Sequence, residues 1–216
     1  MTAEESRAPH GAQPNLKDGL RQAIIDAARR AYVEESYAGL TMRKIAARVG
    51  CTAGALYGYF SSRQELLGHV WENELEKVHV YTLGAVDQAK DNVGKLRQVF
   101  LAWVRYFMGH KEEFRIMFAW GIANGAADKV KPRSPLDGPD HSYHHFRALL
   151  RAVLVDAPRA PDDLDLAMQS LLTAAFGVVA MAHSPSQFPS YDPEEIAALS
   201  IDSILIGWGV KVLGRY

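Results

Sequence analysis

From Thr41 to Leu67 the chain reads as two short helices around a glycine, and this segment restricts the fold more than any other. Thr41 is a helix N-cap by residue type, with an oxygen able to accept from a backbone N–H one turn on. Behind it Ile45, Ala46 and Val49 recur on one helical face, while Arg43, Lys44 and Arg48 fall largely on the other. Gly50 supplies a residue that tolerates positive φ. Thr52 then caps a second helix, expected over about Thr52–Tyr59 and anchored by Leu56. Helix, tight turn and helix at this spacing is the helix-turn-helix layout, whose second helix can enter the major groove of DNA.

The flanking residues complete a small helical domain. Leu20, Ile24, Ala27, Ala28 and Ala31 share one face of a preceding helix that starts at Asn15 or Asp18 and ends at Gly39. Arg21, Arg29 and Arg30 stay available to solvent or phosphate. Tyr57, Tyr59 and Phe60 are too many aromatic rings for a wholly exposed turn, so some must pack inward. Ser62 caps a fourth helix carrying Leu66, Leu67, Val70, Trp71, Leu75 and Val78. The expected organisation is a flexible tail over 1–14, rich in small, polar and proline residues. A helix-turn-helix domain over 15–62 and a helical domain over 63–216 follow, joined by a linking helix over 63–80.

Beyond residue 80 the apolar spacing is helical throughout. Helices are expected over Lys95–Met108, Glu112–Ile122, His141–Val155 and Asp163–Ala182, with a last one from near Glu194 to Leu213. Glycines and prolines mark Asn124–Asp140 as a loop and His183–Pro193 as a connection. No alternating strand pattern and no internal repeat occurs, so the fold class is all-α.

Net charge is −1 over 216 residues, which does not describe a nonspecific polycation. Its distribution is uneven: residues 17–63 carry eight Lys/Arg against four Asp/Glu, and the remainder after 63 is acidic. A basic module joined to an acidic one suits local phosphate binding, though only together with the motif. One cysteine, Cys51, forms no internal disulfide and no metal cluster alone. No run of eighteen apolar residues and no apolar signal segment is present, so a cytoplasmic chain without a membrane partner is expected.

The segment Thr41–Leu67 resembles the signature of the tetracycline-repressor (TetR) family of bacterial one-component regulators. Thr41, Ile45-Ala46, Val49-Gly50, Thr52, Gly54, Leu56-Tyr57, Tyr59-Phe60 and Glu65-Leu66-Leu67 carry the likeness, with Leu20–Ser36 before them. It covers roughly residues 17–75. Cys51 and Arg63 stand where Val and Lys are commoner. The resemblance implies a three-helix DNA-binding domain followed by a helical ligand-binding domain, in a dimer that represses transcription until a small effector releases it.

On this reading Thr41, Arg43, Lys44, Thr52, Ala53, Gly54, Tyr57, Tyr59 and Arg63 are the DNA-contact candidates. Small residues at 53–55 allow close approach to base edges or backbone. The second helix lacks Arg, Lys, Asn and Gln, the best base-reading donors. Specificity then leans on Arg43, thymine methyl contacts or DNA shape. Two modules related by symmetry would read half-sites roughly 34–36 Å apart, or a multiple.

The last two helices are the expected dimer seam, through Leu172, Phe176, Val179, Ile201, Leu205 and Trp208, with Gly177, Gly207 and Gly209 permitting close approach. Alternatively they are core helices of a monomer. Trp103, Phe107, Met108, Met117, Phe118, Trp120, Phe146, Phe176 and Met181 are candidates to line a pocket for an apolar or aromatic effector, although for any one of them ordinary core is the commoner role. The stretch Phe114–Phe118 with Gly121 and Tyr143–Phe146 also resembles one subgroup of TetR-type ligand domains. Arg105, His110, Arg115, His145 and His183 are the polar handles available there. His141, His144 and His145 share a helix face, but without further ligands they read as a solvated or capping cluster rather than a metal site. No nucleophile elbow, phosphate-binding glycine motif, dinucleotide fingerprint or HExxH occurs, so neither an enzyme nor a cofactor is expected. The expected partners are operator DNA, a second copy and a small effector. The alternatives are an activator of the same fold and a dimeric helical scaffold that ignores DNA.

Overall fold

The computed structural model describes residues 16–86, 89–119, 142–184 and 191–212, and these are helical apart from turns and connections. The expected tail over 1–14, the loop over 124–140 and Trp120 lie outside the described residues. The chain divides into two compact units, Met1–Val70 and Trp71–Tyr216.

The first unit contains α1 (Leu16–Gly39), α2 (Met42–Val49), α3 (Ala53–Tyr57) and the start of α4 (Arg63–Val86). Local chemistry sets each boundary. Thr41 Oγ1 accepts from Lys44 N–H at 3.3 Å, Thr52 Oγ1 from Ala55 N–H at 3.1 Å, and Ser62 Oγ from Glu65 N–H at 3.1 Å. Gly50 ends α2 at φ 71, a left-handed conformation that costs other L-residues about 1–2 kcal/mol. The helix α3 is shorter than expected: Gly58 caps it after Tyr57, so Tyr59 lies beyond it. Ile24, Ala27, Ala28 and Ala31 of α1 are fully buried, together with Ile45, Leu56, Phe60 and Leu66. Full burial of a side chain such as Leu56 or Phe60 is worth about 1.5–3 kcal/mol. Of the three adjacent aromatics, Phe60 takes the interior position while Tyr57 is exposed.

The second unit contains the rest of α4, then α5 (Asn92–Gly109), α6 (Lys111–Phe114), a π-helical turn (Arg115–Ala119), α7 (Ser142–Leu154), α8 (Leu164–His183) and α9 (Pro193–Trp208). Helices α5, α8 and α9 pack on one another, and α7 packs on α5 and α8. Ion pairs join them at their edges: Arg97–Asp202 at 2.6 Å and Arg105–Glu194 at 2.6 Å tie α5 to α9, and Arg147–Asp165 at 2.7 Å ties α7 to α8. Helix α8 is long and apolar enough to cross a membrane, but Ala167, Met168, Leu171, Ala175 and Val179 are buried in the bundle core.

Two expected helices end differently. The span expected to be one helix from Glu112 is a single α-turn that widens into a π-turn at Arg115. Helix α9 stops at Trp208 rather than running to Leu213, because Gly209 adopts φ 94. A Cβ at Gly209 would lie 2.9 Å from Pro158 Cδ, and Arg159 N–H donates to Trp208 O at 3.0 Å. The 157–160 turn therefore closes over the end of the helix.

Three residues expected at a dimer seam are used within the chain. Val179, Ile201 and Leu205 are fully buried and packed in the core between α5, α8 and α9. Leu172, Phe176 and Trp208 are half-buried. The outward faces of α8 and α9 instead carry Leu166, Met181, Leu199, Ser203 and Ile206. An added Cβ at Gly177 or Gly207 would meet nothing within 4 Å.

Candidate nucleic-acid interface and effector cavity

The exposed side of the first unit is built from helix starts. Thr41, Arg43, Lys44, Thr52 and Gly54 are exposed, Ala53 and Tyr59 are half-buried, and Tyr57 is 53% exposed. Folding thus brings the starts of α2 and α3 to the surface with small residues between them.

The cations there differ in what they already hold. Lys44 Nζ donates to Glu35 Oε2 and to Gly39 O, the latter at 3.0 Å. Arg48 pairs with Glu34 at 2.7 Å and with Glu35 at 2.8 Å. These contacts join α1 to α2. The Lys44 hydrogen bond, supported by Arg48, holds the Glu35 carboxyl below the usual carboxylate range, and the two glutamates raise the Arg48 guanidinium above its ordinary value. Arg63 Nη1 donates to Leu40 O at 2.9 Å, fastening the start of α4 to the α1–α2 connection. Arg21, expected to be open to solvent, lies 5.0 Å from the Phe60 ring centroid with Nη2 2.9 Å from His69 Nε2. Glu65 accepts from the Ser61 hydroxyl and the Ser61 N–H, both at 2.6 Å, and these bonds keep its carboxyl low. Arg43 extends from the second residue of α2 into solvent.

The second unit contains a partly open cavity of about 410 Å³. Of the residues expected to form a pocket, Trp103, Met117, Phe118, Phe146 and Phe176 line it. Phe107 does not: it is fully buried, with its ring edge-on to Trp103 at 4.7 Å and to Phe118 at 5.6 Å. Met108 packs against the core outside the cavity lining, and Met181 is 52% exposed. Met117 and Phe118 reach the cavity from the π-turn, a geometry frequent at functional sites.

The wall that the residue types did not reveal comes from α4: Trp71, Leu75, Val78, His79 and Thr82. Its signal was a stripe at 71, 75, 78 and 82, with polar residues at 79 and 82 in an apolar face. The expected polar handles lie elsewhere. Arg105 binds Glu194, Arg115 binds Glu112 at 3.0 Å, His110 Nδ1–H donates to Tyr106 O at 2.7 Å and His183 Nε2–H to Phe107 O at 2.8 Å. His145 is exposed on α7 and His141 lies outside the described residues. Among the described residues no group of three or more His, Cys, Asp or Glu is placed to hold a metal ion.

One unit thus carries a capped helix-turn-helix with an exposed second helix, and the other a helical bundle with a cavity. Residues 24–70 match the family model of the bacterial regulatory proteins, tetR family. Over 136 residues the chain is 32% identical to the HTH-type transcriptional regulator Rv1816 of Mycobacterium tuberculosis, a match covering 62% of this chain and 50% of that protein. The chain thus spans about half the length of the curated relatives it matches. A protein with unknown function from Rhodococcus sp. RHA1 superposes with a TM-score of 0.65 at 18% identity, covering 94% of this chain and 98% of that one. RolR in complex with ligand resorcinol superposes with a TM-score of 0.61 at 22% identity, covering 91% and 90%. At these identities the two structures show a shared fold. The likeness to the tetR family of bacterial regulatory proteins is thus carried by the helix-turn-helix domain over residues 24–70.

Proposed function

We propose that this protein is a dimeric, ligand-responsive transcriptional repressor, released from a palindromic operator by a small apolar or aromatic effector. One observation carries the proposal. Helix α4 places Leu66, Leu67 and Val70 in the core of the helix-turn-helix unit, and its continuation supplies Trp71, Leu75, Val78, His79 and Thr82 to the cavity of the other unit. A ligand that pushes on that wall acts on the helix that begins in the DNA-reading unit.

In this reading Thr41, Arg43, Thr52, Gly54 and Tyr57 meet DNA. Helix starts with unpaired N–H groups and hydroxyls position phosphates, and Arg43 has the reach for a base edge. Lys44 and Arg48 exchange Glu35 for phosphate as the complex forms. The outward faces of α8 and α9 pair with a second copy, where Leu166, Leu199 and Ile206 supply apolar area and Gly177 and Gly207 leave room for close helix approach. The effector reading is supported by the aromatic cavity, and by the resemblance in fold to RolR, whose structure holds resorcinol.

Selection of genomic fragments by the purified full chain tests the proposal. Enrichment of a palindrome whose affinity falls steeply with salt is expected. A dimer that retains no fragment at low ionic strength would leave the scaffold reading in its place.

A further inference from the structure

We infer that the cavity takes an uncharged, ring-shaped ligand with one hydrogen-bonding group, typified by a phenol or aryl alcohol, and that His79 on α4 reads that group. The inference rests on the effector reading above and narrows it to a ligand class and a contact.

The walls are rings from five segments: Trp71 on α4, Phe100 and Trp103 on α5, Phe118 on the π-turn, Phe146 on α7 and Phe176 on α8. Rings already in contact around the space adopt edge-on geometry, as Phe118 does on Phe176 at 5.3 Å. A planar guest can extend such packing on several sides. Among the described residues no Asp, Glu, Lys or Arg lines the cavity. Burying an ionised carboxylate or ammonium there without a counter-charge costs several kcal/mol, a penalty that a neutral ring avoids. Glu74, buried on the same helix, is absent from the lining and its carboxylate accepts from Lys77 Nζ at 2.8 Å.

The polar groups have two locations. Gln169 and Thr173 of α8 are exposed, whereas Thr82 is fully buried and His79 is half-buried on α4. The Thr82 hydroxyl donates to Val78 O at 2.9 Å and to His79 O at 3.0 Å, so it offers a ligand only its lone pairs. The His79 ring lies edge-on to Phe146 at 5.9 Å, at the junction of α4 and the ring wall. An imidazole ring nitrogen can donate to or accept from a hydroxyl, according to tautomer. A ligand hydroxyl drawn to His79 and Thr82 places the guest's one strong directional contact on α4.

The test is calorimetric titration of the full chain at pH 8 with four probes of one shape: naphthalene, naphthol, naphthoate and naphthylmethylammonium. Naphthol should bind at least tenfold more tightly than either ion, and more tightly than naphthalene. His79→Leu and His79→Gln are read beside the parent, with thermal melting to confirm folding. His79→Leu should lower naphthol affinity about tenfold and leave naphthalene within twofold. Binding of either ion as tight as that of naphthol overturns the charge assignment. Naphthol affinity unchanged in both variants overturns the role of His79, and no binding by naphthalene and naphthol overturns the ligand class. Operator affinity is measured in parallel. Naphthol that binds through His79 without loosening DNA supports the ligand class and overturns only the switch proposed above.

Discussion

Glu35 stands between two cations that a DNA-binding surface would be expected to offer to phosphate. Its carboxylate accepts from Lys44 and Arg48. Replacing it by Gln removes the competitor, so Glu35→Gln should raise DNA affinity and steepen its salt dependence, read by anisotropy across a salt series. An unchanged slope would mean that neither cation reaches phosphate. The same group has a pH signature. Its folded pKa is depressed below the ordinary 4.5, so its stabilising effect is present above that pH and is lost as pH falls through the folded value. The melting temperatures of the parent and Glu35→Gln should therefore converge below about pH 4.5. At the opposite end of the chain Gly209 is held by both its φ of 94 and its contact with Pro158. Gly209→Ala should cost about 1–3 kcal/mol in urea unfolding. Gly50→Val, with open space around it, should cost about 1–2 kcal/mol from backbone conformation alone.

At the scale of elements the helix starts of the first unit were legible, whereas α5 begins at Asn92 behind an Asp91 cap rather than at Lys95, and several ends differ as well. Thr41, Thr52, Ser62 and Asp163 act as caps because a side-chain oxygen needs only its own backbone a turn away. The end of α9 depended on Gly209 meeting Pro158, a contact between distant parts of the chain. The π-turn at Arg115, from which Met117 and Phe118 line the cavity, has no counterpart in the apolar spacing. Helices α8 and α9 show the deeper ambiguity: both are apolar on more than one side, and periodicity does not say which side faces the chain's own core. Val179, Ile201 and Leu205 turned inward, leaving a face with small residues outward. Gly177 lies on that face with nothing within 4 Å of an added Cβ. Gly177→Phe should therefore break the proposed dimer while leaving the unfolding midpoint of the monomer within a degree or two, checked by light scattering and thermal melting. A dimer that persists would place the seam elsewhere.

On the proposed function, the question for the whole molecule is how an effector in one unit changes DNA binding by the other. Reciprocal linkage requires that a ligand weakening DNA binding be weakened by DNA to the same degree. A hundredfold preference for the DNA-incompetent state supplies about 2.7 kcal/mol per site. Insertion of two glycines in α4 after Val70 should leave effector affinity intact, abolish release of DNA by effector, and separate the two functions in parallel titrations. Equal effector affinity for free and DNA-bound protein in the parent would overturn the switch itself.

The residue order alone determined the all-α class, the helix-turn-helix, its caps and its turn glycine, because each depends on groups within a few residues of one another. It also determined that large soft side chains would crowd the second unit. Only the tertiary structure decided which of them became core, cavity wall or outer face. It sent Phe107 to the interior, opened Trp103 and Phe176 onto the cavity, and brought His79 and Thr82 of α4 to the same wall. The physical reason is that burial belongs to a pair of surfaces: a helix that is apolar all round takes its orientation from its neighbours, and those neighbours are distant in the chain.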